Sequence, residues 1–181
     1  MNTVWDRNIT RMRTFRSKKL EPLAKFFLKI HLTANRMTSI GLFFGFLSAY
    51  FLFENHYLFI IFGILHLFAD AMDGIIARIS TPHKYGEYFD LISDRIVALL
   101  FLLKISFYLQ DYYAYIVVII FVITQSVHFF SKLKYQAVYS RSLVFFVLIF
   151  NLPVLAYLTA GVISLYSLIL QFSDWLKKIH Q

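Results

Sequence analysis

The residues most able to do chemistry are four aspartates that stand beside or inside long apolar stretches: Asp70, Asp73, Asp90 and Asp94. A carboxylate at the centre of a bilayer costs about 2.5–3.5 kcal/mol, and neighbouring carboxylates also repel one another. Such a group therefore needs cations. Because the two pairs are spaced i, i+3 and i, i+4, each pair projects from one face of a helix, and the two faces can meet. Their oxygens would then form a site suited to Mg²⁺, Mn²⁺ or Ca²⁺.

Small and basic residues share these helix faces. Gly74 and Ala77 follow Asp70 by one and two turns, so two very small side chains extend the stripe of carboxylates. Glycine weakens a helix by ~1 kcal/mol relative to alanine, so Gly74 indicates close approach by a ligand or by backbone. Arg78 adds a guanidinium suited to phosphate, and Gly86 begins the second stripe one turn before its first aspartate.

The elements that carry these residues must lie in a membrane. With 59% hydrophobic, 19% aromatic and 15% charged residues, the composition is not that of a soluble domain. We predict an all-α integral membrane protein with six transmembrane helices. Near-continuous apolar runs place these helices at Met37 to Phe53, Tyr57 to about Ile79, Phe89 to Leu109, Tyr112 to Phe130, Leu143 to Leu158 and Ala160 to Leu176.

Two of these spans contain breaks in their apolar character. Tyr57 to Ala69 is too short alone, because about 20 residues are needed to cross, so that helix must continue through the first two aspartates. The aspartates are therefore predicted near a helix end. Asn151 and Pro153 fall inside the fifth span, where proline removes a backbone donor and predicts a kink. The last connection is then expected at Thr159.

The N-terminal residues form a segment of their own, residues 1–36, ahead of a membrane domain over residues 37–181. Residues 1–19 are predicted to be a basic arm. The apolar residues that follow recur at helical spacing and predict an amphipathic helix lying in the membrane interface. A solvated helix packed on the bundle is the alternative. The stripe consists of Leu20, Leu23, Ala24, Phe27, Ile30 and His31.

The placement of lysine and arginine predicts the orientation. Basic residues precede the first span, flank every second connection and follow the last helix, whereas the alternate connections carry none. Because basic residues stay on the cytoplasmic side, both termini and the aspartates are predicted to be cytoplasmic. The net charge of +8 is then a topology and anionic-lipid signal rather than a sign of nucleic-acid binding. The absence of cysteine excludes disulfides and thiolate metal sites.

The aspartate segment resembles the signature of a known family. Its frame, D-x2-D-G-x2-A-R-x7-G-x3-D-x3-D over residues 70–94, is similar to that of the CDP-alcohol phosphatidyltransferases. Upstream, Thr33-Ala34-Asn35-Arg36-Met37-Thr38 is similar to the family's T-P-N-x-x-T entry to the first span, with alanine where proline is usual. The family's six-span layout with an N-terminal interfacial helix also agrees with the layout predicted here.

The resemblance implies an activity and a set of roles. A phosphatidyl-type group would pass from a CDP-linked lipid alcohol, such as CDP-diacylglycerol, to the hydroxyl of a polar acceptor alcohol, releasing CMP in phospholipid biosynthesis. Two Mg²⁺ or Mn²⁺ ions per site would clamp the reacting phosphate. The resemblance further implies that residues 37–181 are catalytic and that the protein is a homodimer. Its roles are metal ligation by Asp70, Asp73, Asp90 and Asp94, general base catalysis by Asp94, and CDP binding by Asn35, Thr38, Gly74, Ala77, Arg78 and Gly86.

The acceptor is less constrained by the sequence. Arg95, Lys132, Lys134 and Arg141 lie on the predicted cytoplasmic side, where they could bind the phosphate of a phosphorylated acceptor. Positive-inside topology explains the last three equally well.

Alternative functions also have to be weighed. A divalent-cation transporter could use the aspartates for permeation, but it would need acidic residues continuing across the membrane. A noncatalytic membrane protein could keep them as an ion-pair network with Arg78 and Arg95, although two arginines cannot neutralise four carboxylates. His66 is expected to be a hydrogen-bonded packing residue, with contact to the aspartates as the alternative, and Lys104 to extend to the nearby membrane surface.

Overall fold

A computed structural model describes residues 19–80, 86–131 and 140–179, and every regular element within these ranges is a helix. The predicted all-α class is therefore confirmed. In chain order the helices are α1 (19–29), α2 (Ala34–Phe51), α3 (His56–Ile79), α4 (Gly86–Leu109), α5 (Tyr112–Ser131), α6 (Ser140–Ile149) and α7 (Pro153–Ile179).

Residues 19–29 form a helix, α1, while residues 1–18 of the predicted basic arm lie outside the described ranges. Ala24 is fully buried, and Leu20 and Phe27 pack with it against residues of α2 and α3. Leu23 and Ile30, from the same predicted stripe, are instead exposed. Part of the predicted apolar stripe therefore packs against the bundle, and part of it is exposed on the protein surface.

Two local features define the turn between α1 and α2. His31 adopts the left-handed conformation with φ 60°, which ends the first helix. Thr33 is the N-cap of α2, and its hydroxyl oxygen accepts a hydrogen bond from the Arg36 backbone N–H at 3.4 Å. Capping by Thr33 fixes where α2 begins, and therefore where Asn35 and Thr38 lie on it.

Three helices of the described chain are long and apolar enough to cross a membrane: His56–Ile79, Tyr112–Phe130 and Pro153–Lys178. Large apolar side chains cover their outer faces, as expected of a surface that meets lipid rather than water. Examples are Ile64, Ile119, Val122, Val162 and Ile169. The first of these helices continues through both of its aspartates to Ile79, as predicted from the length that a span requires.

The prediction for the last two spans was wrong. Asn151 and Pro153 do not kink a fifth span: α6 ends at Ile149, and Asn151 takes the left-handed conformation with φ 56°. Pro153 then begins a single helix that runs to Ile179, and Thr159 lies inside it. Asparagine tolerates positive φ after a helix, and proline fits the first turn of the next, so the pair separates two helices.

Close helix contacts in the core depend on glycine and on aromatic rings. A β-carbon at Gly63 of α3 would overlap the ring of Phe145 of α6. That ring lies 5.2 Å from the ring of Phe59 and 6.2 Å from that of Phe101, and all three side chains are buried. Gly63 therefore sets how closely α6 approaches α3.

We predict that Gly63→Ala destabilises the protein by about 1–3 kcal/mol, because the buried Phe145 ring has to shift. Thermal unfolding in detergent measures this effect. Gly74→Ala is a matched control on the same helix: an added β-carbon there meets no described atom within 4 Å, so the unfolding temperature should hold or rise. An unchanged unfolding temperature for Gly63→Ala would contradict the packing of α6 against α3.

Candidate active site

The four aspartates lie near the ends of two helices that are consecutive in the chain. Asp70 and Asp73 precede the end of α3, and Asp90 and Asp94 follow the start of α4, all within roughly 6–14 Å of those ends along the helix axes. Helices α2 and α6 each contact both α3 and α4. These two neighbours therefore fix the spacing between the aspartate-bearing faces.

Three of the aspartates converge. Asp70, Asp90 and Asp94 each offer a carboxylate oxygen, and these oxygens all lie within 4.8 Å of one another. We refer to these three residues as the carboxylate cluster. All three side chains are half-buried, so the cluster is reachable from outside the protein. The predicted meeting of the two helix faces is confirmed for these residues.

The fourth aspartate is held differently. Asp73 is only 3% exposed, and its Oδ2 accepts a hydrogen bond from the Thr38 hydroxyl at 2.7 Å. Its other oxygen, Oδ1, is buried and has no hydrogen-bond partner among the described residues. A buried carboxylate oxygen without a donor is costly, so this atom fits a cation ligand better than it fits an apolar interior. Thr38 was predicted near the nucleotide, and in the structure its hydroxyl orients a predicted metal ligand.

The contact of Arg141 with the aspartates is the main feature of the site that the sequence did not predict. From the first turn of α6, its Nη2 lies 2.9 Å from Asp70 Oδ2, and its Nη1 donates to Asp94 Oδ1. The sequence placed Arg141 among basic residues available to an acceptor, whereas the structure places it on the carboxylate cluster. The signal that could have found it was the need for a positive charge beside half-buried carboxylates.

His66 lies one turn before Asp70 and joins α3 to α2. Its Nδ1 is 2.8 Å from the Gly41 carbonyl oxygen, which can only accept, so Nδ1 carries the proton and donates. The side chain is 4% exposed. The interpretation of His66 as a hydrogen-bonded packing residue is confirmed, and its contact with Gly41 fixes α2 against the aspartate-bearing face.

The predicted CDP-binding residues on α3 lie on an open part of its surface, one to two turns beyond Asp70. No described atom lies within 4 Å of a β-carbon added at Gly74, and Ala77 and Arg78 one turn further on are exposed. Gly86 is the first residue of α4, and Asn35 is half-buried in the first turn of α2. The structure therefore leaves space next to the cluster where the small side chains predicted it.

The predicted acceptor-binding residues do not all lie at the same place in the structure. Arg95 points toward α5, where its Nε donates to Gln125 Oε1 at 2.6 Å and its side chain lines an apolar cavity of about 300 Å³. Arg141 contacts the carboxylate cluster. Lys132 and Lys134 lie outside the described residues.

The chemistry of the donor set fits a hard divalent cation. Every ligand atom that the cluster offers is a carboxylate oxygen, and the neighbouring Asp73 adds a buried one. Oxygen-only sites favour Mg²⁺, Mn²⁺ or Ca²⁺ over softer metals. The four carboxyl groups also outnumber the single guanidinium that Arg141 brings.

The sequence has a counterpart among known protein families. The sequence profile of the CDP-alcohol phosphatidyltransferase family matches residues 31–177, from the turn before α2 almost to the end of α7. The chain belongs to this family. The expectation drawn from the aspartate signature is thereby confirmed, and the apolar helices are those of an integral membrane protein.

A curated relative covers a shorter part of the chain. A protein of Aquifex aeolicus (strain VF5), described as an uncharacterized protein, is 34% identical over 87 residues. The match covers 47% of this chain and 44% of the relative, so the chain matches less than half of that protein's length. The relative's description names no substrate, so the reaction has to be argued from the site.

Thr38→Val is predicted to destabilise the protein by about 1–3 kcal/mol, because it leaves a buried carboxylate without its donor. Thermal unfolding in the presence of a chelator measures the change without a contribution from bound cations. Thr38→Ser keeps the hydroxyl and serves as the control, with an unfolding temperature close to that of the unsubstituted protein. Equal losses in both variants would mean that the methyl group of Thr38, and not its hydroxyl, stabilises this region.

Proposed function

We propose that this protein transfers a phosphatidyl-type group from a CDP-linked lipid alcohol to the hydroxyl of a polar acceptor alcohol, releasing CMP. The observation that carries the proposal is the convergence of Asp70, Asp90 and Asp94 from two helices within a family signature. Family membership supports a CDP-alcohol donor and an alcohol acceptor. CDP-diacylglycerol is the donor we propose, with phospholipid biosynthesis as the setting.

The donor is proposed to lie on the open face beside the cluster. Gly74 and Ala77 leave room for the cytidine diphosphate, and the exposed Arg78 supplies a guanidinium for its phosphates. Gly86 and Asn35, at the starts of α4 and α2, are proposed to border the same space. The lipid chains would leave sideways between helices into the bilayer, which explains why the reaction is run at a membrane surface.

The reaction we propose is an in-line displacement at the phosphorus that bears the lipid. The acceptor hydroxyl oxygen attacks this phosphorus, and a new P–O bond forms as the P–O bond to CMP breaks. CMP leaves with the bonding electron pair. The acceptor's proton passes to the carboxylate of Asp94, which acts as the general base. Asp94 is suited to this role because its side chain lies in the cluster and is only half-buried.

Asp70, Asp73, Asp90 and Asp94 would hold the divalent cations, Mg²⁺ or Mn²⁺, with two ions proposed per site. When bound, such ions neutralise the pyrophosphate oxygens and the charge that develops on CMP. The protein's own contribution is to present these carboxylates at fixed positions. Thr38 orients Asp73, and α2 and α6 set the distance between the two helices that carry the ligands.

The acceptor remains a class rather than a compound. Arg95, Lys132, Lys134 and Arg141 are proposed to bind the phosphate of a phosphorylated acceptor. Of these, Arg141 contacts Asp94, the proposed general base, and this proximity to the proposed reaction favours its assignment. Incubation of the purified protein with a labelled CDP-lipid and a panel of polar alcohols would identify the product headgroup.

The membrane arrangement is also part of the proposal. We propose six spans, with α1 in the interface and both termini and the active site cytoplasmic. The ten described residues of α6 are too few to cross alone, so the fifth span would need more residues than these. Helix α4 has the same 24-residue length as α3, and its charged residues account for its lower apolar character. Lys104 lies near the end of α4 that is far from the aspartates, and its Nζ is 3.3 Å from Glu54 Oε1. This pair supports a second membrane surface at that end of the bundle. A homodimer is proposed from the family resemblance.

The acidic residues far from the cluster weigh against cation transport. Glu54 pairs with Lys104, and Asp111 accepts a hydrogen bond from the Tyr157 hydroxyl at 2.7 Å. Both lie in connections between helices rather than along a path through the bundle. A permeation route would need cation ligands continuing through the interior.

Asp94→Asn is expected to lower CMP release from CDP-diacylglycerol by at least about 10²-fold, because the variant cannot take the acceptor's proton. Release of CMP is followed by chromatography, and the fold of the variant is checked by gel filtration and thermal unfolding. Glu54→Gln, at the opposite end of the bundle, is the matched control and should retain the rate. Turnover retained by a folded Asp94→Asn protein would remove this residue from catalysis.

Removal of divalent cations is expected to stop the reaction, since the pyrophosphate and the leaving CMP would no longer be neutralised. CMP release is measured with excess EDTA, and again after Mg²⁺ or Mn²⁺ is returned in excess of the chelator. Recovery with either cation is the expected result. A rate that is the same with and without EDTA would contradict the proposed metal clamp.

A further inference from the structure

Arg141 is the most unusual feature of the carboxylate cluster, because it brings a positive charge to residues proposed to bind cations. One nitrogen of its guanidinium contacts Asp70 on α3, and the other contacts Asp94 on α4. A single side chain from α6 therefore ties together the two helices that carry the signature. Its side chain is only 11% exposed, so these contacts are largely shielded from water.

The electrostatics of the cluster explain why a cation is needed there at all times. Three half-buried carboxylates whose oxygens lie within 4.8 Å of one another repel strongly, and a fourth, Asp73, lies one turn from Asp70. A planar guanidinium can contact two carboxylates at once through separate nitrogens, which an ammonium group does less well. Arg141 is placed to reduce the repulsion between Asp70 and Asp94 in the cation-free protein.

We propose that Arg141 is a resident counter-ion: it holds the metal-binding carboxylates together in the cation-free protein and leaves Asp70 and Asp94 when a divalent cation binds. This inference rests on the proposed function, because it takes the cluster to be a cation site. The guanidinium and a divalent cation need the same carboxyl groups, so each weakens the binding of the other. Arg141 thereby lowers the affinity of the site for free cations.

Release of Arg141 from the carboxylates requires a change in its side-chain conformation and no movement of the helices. The residue lies in the first turn of α6, and the guanidinium is carried on a long, unbranched side chain. Rotation about its side-chain bonds moves the charge away from the carboxylates while α6 stays packed against α3 and α4. The released guanidinium then faces the anionic substrates, so its position on the cluster and its proposed contact with acceptor phosphate are successive states of one side chain.

A purely structural salt bridge makes a different prediction. If Arg141 only stabilised a site that binds cations alongside it, its removal would loosen the cluster and weaken cation binding. If Arg141 competes with the cation, its removal strengthens cation binding while the cation-free protein becomes less stable. The two explanations therefore predict opposite changes in cation affinity.

The test measures Mn²⁺ binding to the full-length protein in detergent, without nucleotide, by the loss of the EPR signal of free Mn²⁺. Arg141→Gln is expected to bind Mn²⁺ about tenfold more tightly than the unsubstituted protein, within the range of ordinary coupling between two sites. Thermal unfolding in EDTA should show a lower unfolding temperature for the variant, and saturating Mn²⁺ should raise that temperature by more than it does in the unsubstituted protein.

Two further variants complete the test. Arg36→Gln removes a positive charge that donates to the His31 carbonyl oxygen rather than to the cluster, so its Mn²⁺ affinity should match that of the unsubstituted protein. Arg141→Lys keeps the charge without the paired nitrogens, so its Mn²⁺ affinity should lie between those of the unsubstituted protein and Arg141→Gln. This variant decides the question if Arg141→Gln does not fold.

The outcomes separate this inference from the proposed function. Equal or weaker Mn²⁺ binding by folded Arg141 variants, with clear binding by the unsubstituted protein, would overturn the counter-ion role and leave the metal site standing. If neither the unsubstituted protein nor the Arg141 variants bind Mn²⁺, the cluster is not a cation site, and both proposals fall. Tighter binding in the Arg141 variants but not in Arg36→Gln supports the role.

Discussion

The repulsion among carboxylates that two membrane helices bring together is the constraint on which the rest of the site depends. Asp70, Asp90 and Asp94 are half-buried, with oxygens within 4.8 Å of one another, and they lie at the end of a bundle whose core is apolar. Such an arrangement persists only if positive charge compensates it and if the scaffold resists separation. Arg141 supplies positive charge through its contacts with Asp70 and Asp94, and in the proposed working enzyme divalent cations do so.

The helices that carry the aspartates are held together by polar contacts near the site and by apolar packing elsewhere in the bundle. Helix α2 is tied to α3 by the hydrogen bond from Thr38 to Asp73 and by that from His66 to Gly41. On α6, Arg141 reaches both aspartate-bearing helices. The Phe145 ring lies against Gly63 deeper in the bundle, so the same helix that carries the arginine is positioned by aromatic packing.

Several local features followed from the sequence because they depend on near neighbours in the chain. The length needed to span a bilayer placed the end of α3 near Ile79, and Thr33, a residue type that favours N-caps, precedes the first residue of α2. The break at Asn151 and Pro153 was predicted as a kink within one span. It is instead a turn between two helices, because proline fits a first helical turn as well as it disrupts an interior one, and periodicity does not distinguish these cases.

The sequence by itself determined the family, the all-helical class and the spacing of the four aspartates, because these depend on residue type and on intervals of one or two helical turns. Only the tertiary structure decided which of the aspartates converge and which basic side chain contacts them. Asp73 accepts a hydrogen bond from Thr38, and Arg141, which is 47 residues from Asp94 in the chain, contacts the cluster. Contacts across such separations depend on how helices pack, since backbone hydrogen bonding within each helix is indifferent to its neighbours.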